Sequence, residues 1–431
     1  MISESIGVNS KGHLTCSGAD CVELAKHYGT PLYVFDEVLI TKACKEFIKS
    51  IDDYYNGYGK VLYASKAFSC KEMYRLVGSL RLGADVVSGG ELYTALSAGF
   101  DAKSIMFHGN NKTYSELQYA VNSGVGRIVV DNITELENLQ EIAETSEKLV
   151  DVLLRIKPGI DAHTHDYIRT GQIDSKFGFA LENGEAMEAA LKCLEYKNIS
   201  LKGFHCHIGS QIFDTEPFED AAKVMIDFMA DFRDKTGVAL CELDLGGGFG
   251  VKYVETDDQI PFSSFMEKAS VALKERASKR NFPIPFIYIE PGRSIVGTAG
   301  ITLYTVGSVK TIKDVRTYVS IDGGMSDNPR YALYQAEYTA VLPECIESEP
   351  TEKVTVAGRC CESGDLIGKD MMIPLVERGQ LLAVLATGAY NFSMASNYNR
   401  IPRPAVVMLA DGEDYLAVRR ETFADIAERD V

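Results

Sequence analysis

Residues 61–98 read VLYASKAFSCKEMYRLVGSLRLGADVVSGGELYTALSA. Two short runs of apolar and β-branched residues, Val61–Ser65 and Gly83–Val87, have the character of buried strands, and Gly90–Ala98 follows with helical period. The alternation continues along the chain. Further strands are expected at Ser104–Phe107, Arg127–Val130, Asp151–Ile156, Leu201–Cys206, Leu240–Leu245 and Phe286–Ile289. Helical stretches fall between them at Tyr114–Asn122, Thr134–Lys148, Gly184–Leu194, Pro217–Asp234 and Phe262–Lys279. Eight strands, nearly every one followed by a helix, predict a (β/α)8 barrel, a fold of about 250 residues. A doubly wound open sheet is the alternative, and the count of eight favours the barrel.

Outward from this region the pattern changes. Ser17–Tyr28 reads as a helix with Ser17 as its N-cap and with Gly29 and Pro31 as stop signals. After about Gly300, strands are expected at Tyr304–Thr311, Thr317–Ile321, Val354–Val356, Leu381–Ala386, Ala405–Leu409 and Tyr415–Arg419, with little helix between them. Asp411-Gly412 is a hairpin signal between the last two. The expected fold class is therefore α/β: a TIM-type barrel over 36–300, with a mainly β domain formed by 1–35 and 301–431.

Composition narrows the function. The chain has 431 residues, of which 46% are hydrophobic and 24% charged, enough for a core that needs no disulfide or structural metal. Lys plus Arg number 44 against 61 Asp plus Glu, a net charge of −17. Without a run of basic residues, such a chain offers no footprint for nucleic acid or anionic lipid. The ten cysteines form no CxxC pair, the first residues lack the form of a signal peptide, and no apolar run reaches membrane-spanning length. These features predict free thiols in a reducing cytoplasm.

The residues leaving the expected strands are Lys66, Ser88, His108, Asp131, Lys157, His207, Gly246–Gly250 and Glu290. In a barrel they share the C-terminal rim, where active sites are built. Lys66 leaves its strand among apolar and aromatic neighbours, where desolvation favours the neutral amine that a Schiff base requires. Taken alone, its commoner reading is a lysine snorkelling to solvent. Gly246-Gly247-Gly248-Phe249-Gly250 lets backbone N–H groups approach a phosphate, or is a plain tight turn. It is not a dinucleotide fingerprint, because Val251 stands where that pattern needs its last glycine. Glu290 could hold a pyridine nitrogen protonated or pair with Arg293. His205 and His207 share a strand face, but further ligands are wanting, and His163 and His165 lack partners at zinc-site spacing, so no metal is expected. Cys360-Cys361 is a turn-like pair of thiols that reads as two buried small side chains or as a proton source.

Six segments occur in a telling order: Tyr63-Ala64-Ser65-Lys66-Ala67, His205-Cys206-His207-Ile208-Gly209-Ser210-Gln211, Gly246-Gly247-Gly248-Phe249-Gly250, Glu290-Pro291-Gly292-Arg293-Ser294, Cys361-Glu362-Ser363-Gly364-Asp365 and Gly388-Ala389-Tyr390. From Gly12 to Thr422 the chain resembles the diaminopimelate decarboxylases, which are alanine-racemase-like (fold type III) pyridoxal-phosphate enzymes. The resemblance implies pyridoxal 5'-phosphate, a homodimer with shared active sites, and conversion of meso-2,6-diaminopimelate to L-lysine and CO2. It makes Lys66 the Schiff-base lysine and Cys361 the proton donor reaching in from the partner subunit. His207 would lie on the cofactor ring, Ser210, Gly247, Gly248 and Gly250 at its phosphate, and Glu290 at its pyridine nitrogen. Asp85, Arg155, Gly292, Arg293 and Tyr390 match further positions around the cofactor, and Arg293, Arg330, Tyr334, Glu362 and Tyr390 match substrate contacts. Tyr331 and Asn391 stand where this family commonly has proline and glycine.

The far end of diaminopimelate carries both an ammonium, which suits Glu362, and a carboxylate, which suits bidentate pairing with Arg293 and Arg330. Ornithine-type relatives carry Cys-Asp where this chain has Cys361-Glu362. The alternatives are a decarboxylase of the same fold acting on ornithine, lysine or arginine, and a non-catalytic homologue that binds a partner protein. Retention of Lys66 and Cys361 weighs against the latter.

Overall fold

The computed structural model describes residues 2–160 and 174–431; His163 and His165 lie outside them. The chain divides into two compact units. One comprises Ala43–Gly250 and Gln259–Gly292, the other Met1–Lys42, Val251–Asp258 and Arg293–Val431.

The first unit is the barrel. Its strands are β1 (Gly59–Ala64), β2 (Gly83–Val86), β3 (Ile105–Phe107), β4 (Arg127–Val130), β5 (Val150–Lys157), β6 (Ile199–Cys206), β7 (Glu242–Asp244) and β8 (Phe286–Ile289). Each pairs in parallel with the next, and β8 returns to β1 through Ile289↔Val61, closing the circle. Apolar side chains fill the interior: Leu62, Met106, Val129 and Leu153 form a buried layer with Tyr288 packed on it. Three of the strand exits become helix caps. Ser88 caps Gly89–Ser97, Thr113 caps Tyr114–Ser123 in a capping box with Glu116, and Asn132 caps Ile133–Thr145. Such caps are worth about 1 kcal/mol each. Behind the caps, Leu117, Ala120 and Val121, and then Leu136, Leu139, Ile142 and Ala143, bury one helical stripe. At the opposite end of the barrel, where the strands begin, Arg127 donates bidentately to Glu242 at 2.9 and 2.6 Å and reaches Asp151 at 3.0 Å.

The second unit is mainly β. Gly300–Ile312 is its spine, antiparallel to Arg316–Ile321, Leu381–Val384 and Leu32–Asp36. Ala405–Ala410 lies parallel to Leu32–Asp36 and forms a hairpin with Glu413–Val418, in which Asp411 and Gly412 both take positive φ as the turn requires. The sequence expectation lacks the strand Leu32–Asp36 and the helices Glu37–Tyr55 and Lys71–Ser79, and further details differ. The first helix is Cys21–Tyr28 and its cap is Asp20, whose carboxylate accepts from the N–H groups of Val22 and Glu23. Ser17 and Gly18, both at positive φ, instead turn the chain between the short strands Leu14–Cys16 and Ala19–Asp20. A strand at Leu366–Ile373, absent from the expected set, pairs with Glu352–Ala357. All ten cysteines are unbridged. No helix among the described residues is long and apolar enough to cross a membrane.

Candidate active site

Lys66 lies in the single 3-10 turn Ser65–Ala67 that ends β1. Its Nζ is 4.0 Å from Oδ2 of Asp85, which sits on β2 in register with Ala64. Ser65 donates to the Asp85 carbonyl at 2.6 Å, tying the two exits together. Gly292, just past β8, is held so close that a Cβ there would be 2.9 Å from the Cβ of Ala64 and 3.2 Å from that of Ala67, the neighbours that frame Lys66.

Three buried carboxyl groups converge here, and their surroundings push them apart. Glu290 has His108 Nε2 at 2.7 Å from Oε1 and His205 Nε2 at 3.3 Å from Oε2. Burial alone would raise its carboxyl, but the two imidazoles outweigh burial and hold it well below the usual range. Burial pushes Asp244 well above that range, and the neighbouring Glu290 charge adds to the effect. Asp85 is raised as well, first by burial, with His108 opposing the shift and Glu290 reinforcing it. The negative charge is thereby concentrated on Glu290. The approach of His108 is off the hydrogen-bond direction, so Glu290 Oε1 is a buried acceptor without a hydrogen-bond partner among the described residues. An anionic acceptor in that state suits the protonated nitrogen of a pyridine ring. His108, His205 and Glu290 also lie close enough to hold a cation, but this is the same carboxylate and not a separate site.

His207 and the glycine loop form the other wall. The Gly247 N–H donates to His207 Nδ1 at 3.2 Å, which places the proton of a neutral ring on Nε2. Burial, with Lys66 and Arg155 adding to it, keeps that ring neutral by lowering it well below its usual value. The loop after β6 and the loop after β7 are zipped together: Ile212 N–H donates to Gly248 O at 2.9 Å and Gly250 N–H to Ile212 O at 2.9 Å. A Cβ on Gly247 would stand 2.2 Å from Glu290 O, and one on Gly248, at φ +119, 2.7 Å from Gly209 O. These glycines are therefore demanded by loop packing, with Ser210 on the facing loop. Arg155 on β5 lays its guanidinium 4.2 Å from the centre of the Phe177 ring and 4.0 Å from Asp131 Oδ1.

The β-rich unit holds the remaining candidates in two groups. In the first, Arg293 Nη1 donates to the Tyr253 hydroxyl at 2.5 Å, and its guanidinium lies 4.8 Å from the centre of the Tyr390 ring. Arg330, buried, lies 4.2 Å over the Tyr253 ring and donates to the Tyr338 hydroxyl at 2.9 Å. Asn391 donates to the same hydroxyl at 3.1 Å and to the Thr387 carbonyl at 3.0 Å, so its amide has a definite task. Tyr334 ends the short helix Arg330–Tyr334, half-buried, and is not among the rings that pack on these guanidiniums within the described residues.

In the second group, Cys361 and Glu362 are exposed on a turn pinned by Asp365, which accepts from Met325 N–H and Cys360 N–H at 2.6 Å each. The Cys361 N–H donates to Asn399 at 2.7 Å. Sequence reading named Arg293, Arg330 and Tyr390 but missed Tyr253 and Tyr338, which no motif marks.

The loop that leads to Arg330 is anchored by Asp327, which accepts from Tyr304 at 2.6 Å and from the Gly324 N–H at 2.9 Å. Burial pushes this carboxyl up to about 7, against about 3.9 in an unfolded chain. The folded state therefore keeps a proton that the unfolded state releases. Stability from this group is full below about pH 4 and falls as pH rises towards 7. Asp327→Asn removes that slope, so the melting temperature of the variant relative to the parent should rise between pH 4.5 and pH 8. A pH-independent difference would contradict this assignment.

The chain is similar to proteins of one family along nearly its whole length. Residues 39–297 match the pyridoxal-dependent decarboxylase family, pyridoxal binding domain. A diaminopimelate decarboxylase of Bacillus subtilis is 51% identical over 98% of this chain and 96% of its own length. One of Staphylococcus aureus is 45% identical over 99% of each. The crystal structure of the diaminopimelate decarboxylase of M. jannaschii with L-lysine superposes with a TM-score of 0.92 at 35% identity, covering 100% of this chain and 98% of that one. A lysine at the first barrel exit, a charged carboxylate at the last and near-full-length likeness coincide, and the chain belongs to the diaminopimelate decarboxylases, within the pyridoxal-dependent decarboxylases.

Proposed function

We infer that this chain decarboxylates meso-2,6-diaminopimelate to L-lysine, the closing step of lysine biosynthesis. The observation that carries the substrate is the buried Arg330, which meets tyrosines and has no carboxylate within ion-pair distance among the described residues. A buried guanidinium in that state suits a carboxylate brought by the ligand. Pyridoxal phosphate, when bound, supplies the electron sink for the pair left at Cα as CO2 departs.

The chain's own residues do the rest. Lys66 would hold the cofactor through its amine, which the 40% exposure of its side chain leaves open to an incoming substrate amine. Glu290 would keep a charge at the ring nitrogen, His207 would face the ring, and Ser210 with the backbone of Gly247, Gly248 and Gly250 would take the phosphate. Asp85, Arg155 and Gly292 shape the surroundings. Arg293 and Arg330 fix the far carboxylate, with Tyr334 and Tyr390 lining its approach, while Glu362 takes the far ammonium. Cys361 gives its Sγ proton to Cα.

We further propose that the working unit is a cytoplasmic homodimer in which Cys361 and Glu362 of one copy serve the cofactor of the other. Both side chains are exposed on the single chain, which supports this reading. The test of substrate is CO2 release from meso-diaminopimelate, L-ornithine, L-lysine and L-arginine. Diaminopimelate should lead in kcat/KM by about three orders of magnitude, as expected where a site's buried charges go unpaired with the wrong ligand. Preference for any of the others would overturn the assignment.

A further inference from the structure

Arginines that bind a carboxylate are useful only if they are held still, because a free guanidinium loses rotamer entropy when it engages. Here one side chain touches both. Tyr253 lies three residues past the glycine loop and is buried. Its hydroxyl accepts from Arg293, and the face of its ring carries Arg330. Its backbone is itself fixed: the Tyr253 N–H donates to Asp257 at 2.8 Å, and its carbonyl accepts from Thr339 at 3.1 Å. Tyr338, edge-on to Tyr253 at 5.6 Å between ring centres, completes the cage through its hydroxyl contact with Arg330. Arg330 is thus held by tyrosines, with no carboxylate within ion-pair distance among the described residues to compete with a ligand. Burial alone would raise the Tyr253 phenol; Arg293 and Arg330 outweigh it and bring the group below its usual value, in keeping with a hydroxyl that serves as an acceptor.

We propose that Tyr253 is a specificity-determining positioning residue that holds Arg293 and Arg330 as a two-armed receptor for the far carboxylate of the substrate. This deepens the reading above and rests on it. The role predicts that Tyr253 acts on carboxylate recognition and not on the decarboxylation chemistry.

The test is calorimetric binding of L-lysine and of pentane-1,5-diamine, which lacks the carboxylate, to the cofactor-loaded enzyme. Tyr253→Phe removes the acceptor and keeps the ring, and should weaken L-lysine binding about ten- to a hundredfold, the worth of a hydrogen bond to a charged group. Diamine binding should stay unchanged, and KM for diaminopimelate should rise far more than kcat falls. Tyr338→Phe carries the same expectation, smaller in size, and serves should the first variant fail to fold. Equal loss of both ligands, or no loss of L-lysine, would overturn the proposal. Arg330→Met separates the two readings. If it leaves L-lysine binding intact, the carboxylate reading itself falls. If it abolishes that binding while Tyr253→Phe does not, only the role of Tyr253 falls.

Discussion

Lys66→Ala should lower decarboxylation by about four orders of magnitude or more, the scale seen when a covalent participant is removed, and should leave the fold intact. The two parts of this expectation have separate physical grounds. Lys66 sits between buried Ser65 and Ala67, but its own side chain is 40% exposed. Truncation therefore opens no cavity, and its effect on stability should stay within about 1 kcal/mol. Chemically nothing can replace the amine. A neighbouring buried group, Asp85, is a carboxyl 4.0 Å away whose proton affinity the loss of Lys66 would raise further. Lys66→Arg should fail as fully, because a guanidinium does not give up its proton to become a nucleophile. Steady-state turnover together with thermal melting checks both parts. A folded Lys66→Ala retaining activity within tenfold of the parent would show that the amine is not essential.

Cys361→Ala should reduce kcat by about two to four orders of magnitude, the usual contribution of a positioned acid, with the bound cofactor retained. The turn that carries Cys361 is built from backbone contacts. The Cys361 N–H reaches Asn399, and the Cys360 N–H reaches Asp365. Removing Sγ leaves these contacts in place, so the defect should be chemical and not conformational. In the proposed dimer the same variant gives a sharper result. Mixing inactive Lys66→Ala with inactive Cys361→Ala should restore about a quarter of parental turnover, because half of randomly paired dimers are mixed and one site in each is whole. No recovery after confirmed exchange of subunits would contradict the shared site.

What could be read beforehand, and what could not, follows from the range of the interactions. Barrel strands are short, apolar and flanked by helix caps, all local properties, so residues leaving them were legible as one rim. Ser17 resembles a cap in sequence because of its hydroxyl, but it is not one. The decision between Ser17 and Asp20 rests on the backbone turn at Ser17–Gly18. Leu366–Ile373 escaped because Gly368 and the positive-φ Asp370 break its alternation. The site divides in the same way. Lys66, His207, the glycine loop and Glu290 sit at strand ends and could be found there. His108 stands at its strand exit in the same way, but its contact with Glu290, and that of His205, is not legible there, since only barrel closure brings these distant strands together. Tyr253 is hidden for a similar reason, its partners Arg293 and Arg330 standing far along the chain, while Tyr338, only eight residues from Arg330, is hidden because a buried tyrosine has no sequence signature.

Reduction of the cofactor-saturated protein with borohydride, followed by peptide mapping, asks the most direct question of all. The pyridoxyl label should be found on the ε-nitrogen of Lys66, and a Lys66→Ala sample treated in parallel should carry none. A label on any other lysine, with Lys66 unmodified, would contradict the account.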